Sequence, residues 1–155
     1  MMAESLDKYD VSLLDSLQKE DGVSLADLAQ RVNLSSSQCS RRISRLKKLG
    51  YIRKQVAQLN PQALGLDVSA FVTVTLAKHG KNSAESFQTS ILHMDQILEC
   101  HAITGEGDYL LKVMAPNSQA LNEFIMKELL TLPGVSHVKT ALALASVKST
   151  TALPL

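Results

Sequence analysis

Polar and apolar positions along this chain change period twice. In the first fifty residues apolar side chains recur three and four apart: Leu13, Leu14 and Leu17, then Leu25, Leu28, Ala29 and Val32, then Cys39, Ile43 and Leu46. That spacing predicts three helices, each burying one stripe. Each has a start signal. Asp7 with Asp10, Ser24 with Asp27, and Ser35 with Gln38 set a short oxygen-bearing side chain before the run and a polar partner three residues on. Asp21-Gly22 stops the first helix, and Asn33 suits the left-handed residue that ends the second. The short connection through Leu34 makes the second and third a helix-turn-helix over residues 24–54.

After Gly50 the pattern turns strand-like. Tyr51 to Leu59 reads as a wing against a nucleic-acid backbone or a strand pairing with a second subunit, and Asn60-Pro61 with Gly65 closes it. From Val68 the period is two: Val68, Ala70, Val72, Val74 and Leu76 alternate with Ser69, Phe71, Thr73 and Thr75. A helix follows from Lys81 to Leu92 with Phe87, Ile91 and Leu92 inward. Strands are expected over 97–104 and 108–114 around the turn Gly105-Glu106-Gly107. A helix capped by Asn117 carries Ala120, Leu121, Phe124, Ile125 and Leu129, and a last strand runs over 135–147. This β-α-β-β-α-β order predicts a ferredoxin-like split βαβ domain. The fold class is α+β, with a winged-type helix-turn-helix over 1–50, a linker strand over 51–66 and the ferredoxin-like domain over 67–155. The uncovered sheet face is expected to be apolar and covered by a second copy.

Charge changes the picture more than composition does. The formal total is only +1, yet between Leu28 and Leu66 there is no Asp or Glu and there are eight cations: Arg31, Arg41, Arg42, Arg45, Lys47, Lys48, Arg53 and Lys54. A charge run is ordinarily a solvated helix face, but here no Glu stands at i±4 to pair with it. The third helix thus offers polar groups in its first turn and cations behind them, as a recognition helix needs. The expected DNA-binding residues are Ser36, Ser37, Gln38, Arg41, Arg42, Arg45, Lys48, Arg53 and Lys54, with Gln38 and the three arginines in the groove and the serines near the backbone.

Other chemistry is thin. Cys39 and Cys100 lack C-x-x-C spacing and read as small core residues of a reducing compartment. Cys100 and His101, adjacent on a strand, face opposite ways and cannot share a metal. His79, His93 and His137 fall near element ends as surface residues. Ser35, Ser36 and Ser37 have no His or Asp at a defined spacing, so nucleophilic catalysis is unsupported. Phe71, Phe87 and Phe124 are taken up by the core, leaving too few aromatics for an RNA-stacking sheet. No run reaches the roughly 20 residues of a membrane span, and the acidic N-terminus lacks the pattern of a signal peptide. The expectation is a cytoplasmic, nucleoid-associated protein without metal or catalytic residues.

Taken in order, Leu6-Asp7-x-x-Asp10, Leu13-Leu14-x-x-Leu17, Leu28-Ala29-x-x-Val32-x-Leu34-Ser35, Arg42-Ile43-x-Arg45-Leu46, Gly50-x-Ile52, Asn60-Pro61-x-x-Leu64-Gly65, Glu99-Cys100-His101, Gly105-x-x-Asp108-Tyr109, Leu132-Pro133-Gly134-Val135 and the tail from Val147 to Leu155 resemble the Lrp/AsnC, or feast/famine, regulators. Two positions depart from that pattern. Val23 stands where many members have arginine, and Gly107 where a bulkier residue is common. The resemblance implies a homodimer built through the sheets and linker strands, assembling into tetramers or octamers on double-stranded DNA. It also implies a free amino acid as effector, bound where dimers meet, beside Thr104, Gly105, Glu106, Gly107 and Asp108. Gly105 and Gly107 would offer backbone N–H groups to its carboxylate and Asp108 would pair with its ammonium. Leu142 and Ala143, carried over from the family, would shape the side-chain pocket. No other cofactor is implied. Two alternatives share the fold: an effector-independent, nucleoid-associated architectural protein, and an enzyme akin to sirohaem decarboxylases, against which the basic headpiece speaks.

Overall fold

The structure, a computed structural model, describes residues 5–20, 22–77 and 83–155. Asp21, His79 and the expected helix start at Lys81 lie outside the described residues. Two compact units share the chain, residues 1–58 with 148–155, and residues 59–147.

The first unit holds α1 (Lys8–Lys19), α2 (Leu25–Val32) and α3 (Ser36–Lys48). All three caps form as the spacing predicts. Asp7 accepts from the amides of Tyr9 and Asp10 at 2.9 Å each, and Asp10 accepts back from the Asp7 amide at 3.2 Å. Ser24 accepts from the Asp27 amide at 3.1 Å. Ser35 accepts from the Gln38 amide at 3.3 Å while Gln38 Oε1 accepts from the Ser35 amide at 2.9 Å. Each cap stabilises its helix by about 1 kcal/mol. Asn33, at φ 52°, ends α2 and leaves three residues to turn the chain into α3. Leu13, Leu28, Ala29, Val32 and Cys39 form the core, with Leu17, Val23, Leu34 and Ile43 packed on it. Leu46 is also buried. Leu25 does not join its stripe: at the first position of α2 it stays 43% exposed.

The linker strand expected over 51–66 does not form. Residues 51–60 carry no strand, with Val56 and Leu59 exposed, because an isolated strand has no ladder partner to satisfy its backbone. The punctuation holds instead. Asn60 Oδ1 accepts from the amides of Gln62 and Ala63, and the turn Gln62–Leu64 closes on Gly65 at φ 73°.

The second unit is a four-stranded antiparallel sheet in the order β2-β3-β1-β4, from β1 (Val68–Leu76), β2 (Ile97–Ala102), β3 (Tyr109–Ala115) and β4 (Val135–Leu142), with α4 (Ser83–Ile91) and α5 (Ser118–Lys127) on one face. The alternation in β1 buries Ala70, Val72 and Val74 completely, against Leu111 and Val113 of β3, Phe87 of α4, and Leu121 and Phe124 of α5. The Phe87 and Tyr109 rings lie 4.8 Å apart, and Gln88 donates to the Tyr109 hydroxyl at 2.8 Å. Strand β4 stops at Leu142, short of the expected Val147. Its partner β1 begins at Val68, and past the bond from Ala143 N to Ser69 O there is nothing left to pair with.

The open sheet face is mixed, not apolar as expected. Strand registers place Glu99 opposite Lys112, His101 opposite Leu110, Thr73 opposite Lys139 and Thr75 opposite His137. Lys112 pairs with Glu99 at 3.0 Å. Phe71 belongs to this face, 44% exposed, rather than to the core, because it alternates with the buried Ala70 and Val72.

Candidate DNA-binding face and effector pocket

Helix α3 presents three faces. Cys39 and Leu46 are buried, with Ile43 beside them. The side away from this core carries Ser36, Ser37, Ser40, Arg41, Ser44, Lys47 and Lys48, all exposed. They recur at the helical period. On the flank between lie Gln38, Arg42 and Arg45, and that flank meets α1. Arg42 donates to Asp7 Oδ2 and Asp10 Oδ1 at 2.8 Å each, and Arg45 donates to Asp10 Oδ2 at 2.5 Å. Asp10 is completely buried; its partners are 28% and 36% exposed. The Tyr9 ring lies 5.5 Å under the Arg42 guanidinium.

This alters the charge argument made from sequence. Pairing partners are absent along α3 but present across the fold, because α1 packs its carboxylates beside the arginines. Arg31 likewise makes two 2.8 Å bonds to Glu20. Arg41, Lys47, Lys48, Arg53 and Lys54 make no hydrogen bond or ion pair among the described residues, and all five are exposed. Gln38 Oε1 is held in the cap by both the Ser35 amide and hydroxyl, and the Ser37 hydroxyl sits 3.0 Å from that of Ser35. Ser40, Ser44 and Lys47 share this exposed face, although choosing the face from its arginines leaves them out. Counting three and four onward from Ser36 and Ser37 finds them.

The Asp10 and Tyr9 amides and Arg42 hold the Asp7 carboxyl below its ordinary range, the Asp10 amide contributing most. The Arg42 guanidinium is held charged more firmly, chiefly by Asp10.

In the second unit the hairpin over 103–108 lies against the end of β1. Asp108 N donates to Val74 O at 2.9 Å, and Asp108 Oδ2 accepts from the Leu76 amide at 2.6 Å. Gly107 N donates to Gly105 O at 3.0 Å. Two of the groups expected to meet an effector are thus engaged within the chain: the Gly107 N–H closes the turn, and one Asp108 oxygen fastens it. Gly107 has φ +144°, and a Cβ there would meet Thr73 Cγ2 at 2.4 Å and Val74 O at 3.3 Å.

A pocket of about 420 Å³ opens beside it, lined by Thr73, Thr75, Glu106, Gly107, His137 and Lys139. Glu106 and Lys139 pair across it at 3.4 Å. Glu106 and Gly107 were expected near an effector; Thr73, Thr75, His137 and Lys139 were not, although their alternation marks one sheet face. Leu142 and Ala143 are not there. Leu142 pairs with Ala70, and the hairpin binds at Val74 and Leu76. Six residues of strand, about 20 Å, separate the two groups within one chain.

Known proteins resolve what this pairing of units is. A winged helix-turn-helix DNA-binding model matches residues 6–53, and the Lrp/AsnC ligand-binding domain matches residues 69–153. The chain belongs to the Lrp/AsnC family. The leucine-responsive regulatory protein of Escherichia coli K12 is 35% identical over 150 residues, covering 97% of this chain and 92% of the relative. A Neisseria meningitidis transcriptional regulator solved in complex with L-Met superposes with a TM-score of 0.94 at 35% identity, covering 97% of both chains. An Agrobacterium tumefaciens AsnC-family regulator gives 0.90 at 32% identity, covering 96% of this chain and 97% of its own. This Lrp/AsnC chain is a DNA-binding transcriptional regulator with a C-terminal ligand-binding domain. No helix among its described residues is long and apolar enough to cross a membrane.

Asp10→Ala should lower headpiece stability by roughly 2–4 kcal/mol, since it leaves two guanidiniums without their buried partner; thermal melts read this. A lowered carboxyl pKa means that stability from Asp7 is complete above its ordinary value of 3.8 and is lost as pH falls through the lowered one. Asp7→Asn should therefore flatten the acid limb of melting temperature against pH. Gly107→Ala should cost about 1–3 kcal/mol through both its φ and the Thr73 contact. A melt unchanged from wild type would show that the hairpin can lift off β1.

Proposed function

We propose that this protein regulates transcription as a homo-oligomer on double-stranded DNA, with a free amino acid altering its assembly or affinity, and that it acts by binding rather than by turnover. The single observation that carries the DNA reading is the outer face of α3. Exposed serines stand there beside Arg41, Lys47 and Lys48, cations that make no hydrogen bond or ion pair among the described residues, and the opposite side of the helix is seated in the core. On this reading Ser36, Ser37, Ser40, Arg41 and Ser44 meet the groove, and Lys47, Lys48, Arg53 and Lys54 neutralise phosphates. Gln38, Arg42 and Arg45 orient the helix from its flank, and any phosphate they meet is met from there.

The effector reading rests on chemistry and kinship together. Glu106 and Lys139 set opposite charges 3.4 Å apart beside the hairpin, complementary to an ammonium and a carboxylate. The Neisseria relative was solved with L-Met. Because Leu142 and Ala143 lie far from the hairpin of the same chain, a site using both draws them from different copies. That assembly also supplies a neighbour for the exposed Val56 and Leu59.

Fluorescence anisotropy on a duplex from the gene's own upstream region tests this across salt, with and without a pool of the twenty amino acids. Arg41→Ala should weaken binding about tenfold and reduce the salt slope by about one, with an unchanged melt. Arg42→Ala should lower the melting temperature first. If Arg41→Ala binds like wild type, the outer face of α3 is not the contact. Binding that ignores the whole pool would turn the reading toward an architectural protein.

A further inference from the structure

The C-terminal segment returns to the DNA-binding unit, where residues 148–155 join residues 1–58. Its anchor is one glutamine. Gln18, in the last turn of α1, donates from Nε2 to the Leu153 carbonyl at 2.7 Å and accepts at Oε1 from the Leu153 amide at 2.8 Å. A side-chain amide thereby grips the tail backbone as a neighbouring strand would. Asp15 Oδ1 lies 3.4 Å from the same Nε2, and the Ala152 amide donates to Thr150 Oγ1 at 3.1 Å just before the contact. Leu153 and Leu155 remain 68% and 58% exposed, so polar contact rather than apolar burial holds the segment.

The DNA-binding unit is therefore attached to the ligand-binding unit by two stretches of chain. One is the exposed linker ending at Gln58; the other runs from Leu142 to Lys148, with Leu144 and Val147 almost fully exposed. We propose that residues 148–155, clasped by Gln18, act as a second tether that confines each headpiece and raises its effective concentration at a neighbouring DNA site. A domain on one flexible linker explores a volume set by linker length. A second attachment shrinks that volume, and effective concentration rises with no new DNA contact. The restraint reaches the recognition helix, because α1 also carries Asp10, which holds Arg42 and Arg45 of α3. The proposal rests on the reading above of a homo-oligomer on DNA, whose headpieces would then bind in pairs.

Two measurements test it. Asp15→Cys with Leu153→Cys, in a Cys100→Ser background, leaves Gln18 and the Leu153 backbone in place. This variant should cross-link with a short bismaleimide and run as a single-chain species on a denaturing gel, and adding Gln18→Ala should abolish the link. No cross-link, or only a two-chain species, would overturn an intrachain clasp. Gln18→Ala, and a chain ending at Val147, are then compared with wild type on a duplex carrying one protected half-site and on one carrying both. Loss of two hydrogen bonds predicts about tenfold weaker binding to the double site, with single-site affinity and melting temperature unchanged. Equal loss on both duplexes would make the tail a mere prop for the headpiece and end the tether, as would no loss on either. Wild type binding both duplexes equally would remove paired headpieces, and the tether with them; a cross-link formed in that case would still establish the clasp itself.

Discussion

A fully buried carboxylate is costly unless its charge is met, and Asp10 meets two guanidiniums and a backbone amide. The geometry of the headpiece depends on that satisfaction. Asp10 caps α1 jointly with Asp7, and the same two residues reach Arg42 and Arg45 on α3. Cap and clamp are one network, so the start of α1 and the middle of α3 are held in a single orientation. Which face of α3 points outward follows from it. The flank bearing both arginines is drawn against α1, and the serine-rich face with Arg41, Lys47 and Lys48 is left exposed.

The charge pattern acquires a different meaning in that light. Of the cations between Leu28 and Leu66, Arg31, Arg42 and Arg45 are spent on carboxylates brought from α1 or its end. The exposed pairs among these contribute little to stability; the two to Asp10 are the ones that hold the fold. On the proposed DNA reading, electrostatic attraction falls to the cations left over, which lie along the outer side of α3 and just beyond its end. That distribution suits phosphate contacts flanking a polar reading face.

The ligand-binding unit covers one side of its sheet and leaves the other open. One sheet face is sealed by α4 and α5. The other mixes Phe71 and Leu110 with Glu99, Lys112, His101 and Lys139, a surface too polar to be a core yet carrying exposed aromatic area. The hairpin closes onto β1 through Asp108, which needs Gly107 to come so close to Thr73. Its hydrogen-bonding groups are partly used in holding that position, and Leu142 lies at the far end of the sheet. On the proposed reading, assembly between copies would reunite them.

Local signals in this sequence carried through where the cause was local. Caps at Asp7, Ser24 and Ser35, the left-handed Asn33, the alternation of β1 and the βαββαβ order all follow from side-chain chemistry within a few residues, and all are present. The resemblance to Lrp/AsnC regulators was legible for the same reason, as an ordered set of short motifs. Tertiary structure decided what depends on a neighbour far along the chain. Asp10 meets Arg45 across 35 positions, and Gln18 meets Leu153 across 135, so no periodicity announces either contact. Within the single chain no strand follows Tyr51 and β4 ends at Leu142, because a ladder needs a partner and the stretch after Tyr51 was expected to find its own in a second subunit or along DNA. Phe71 turned outward because its two neighbours on β1 turned in. The sequence determined which elements form and which family they compose; packing decided which charges remain free to act.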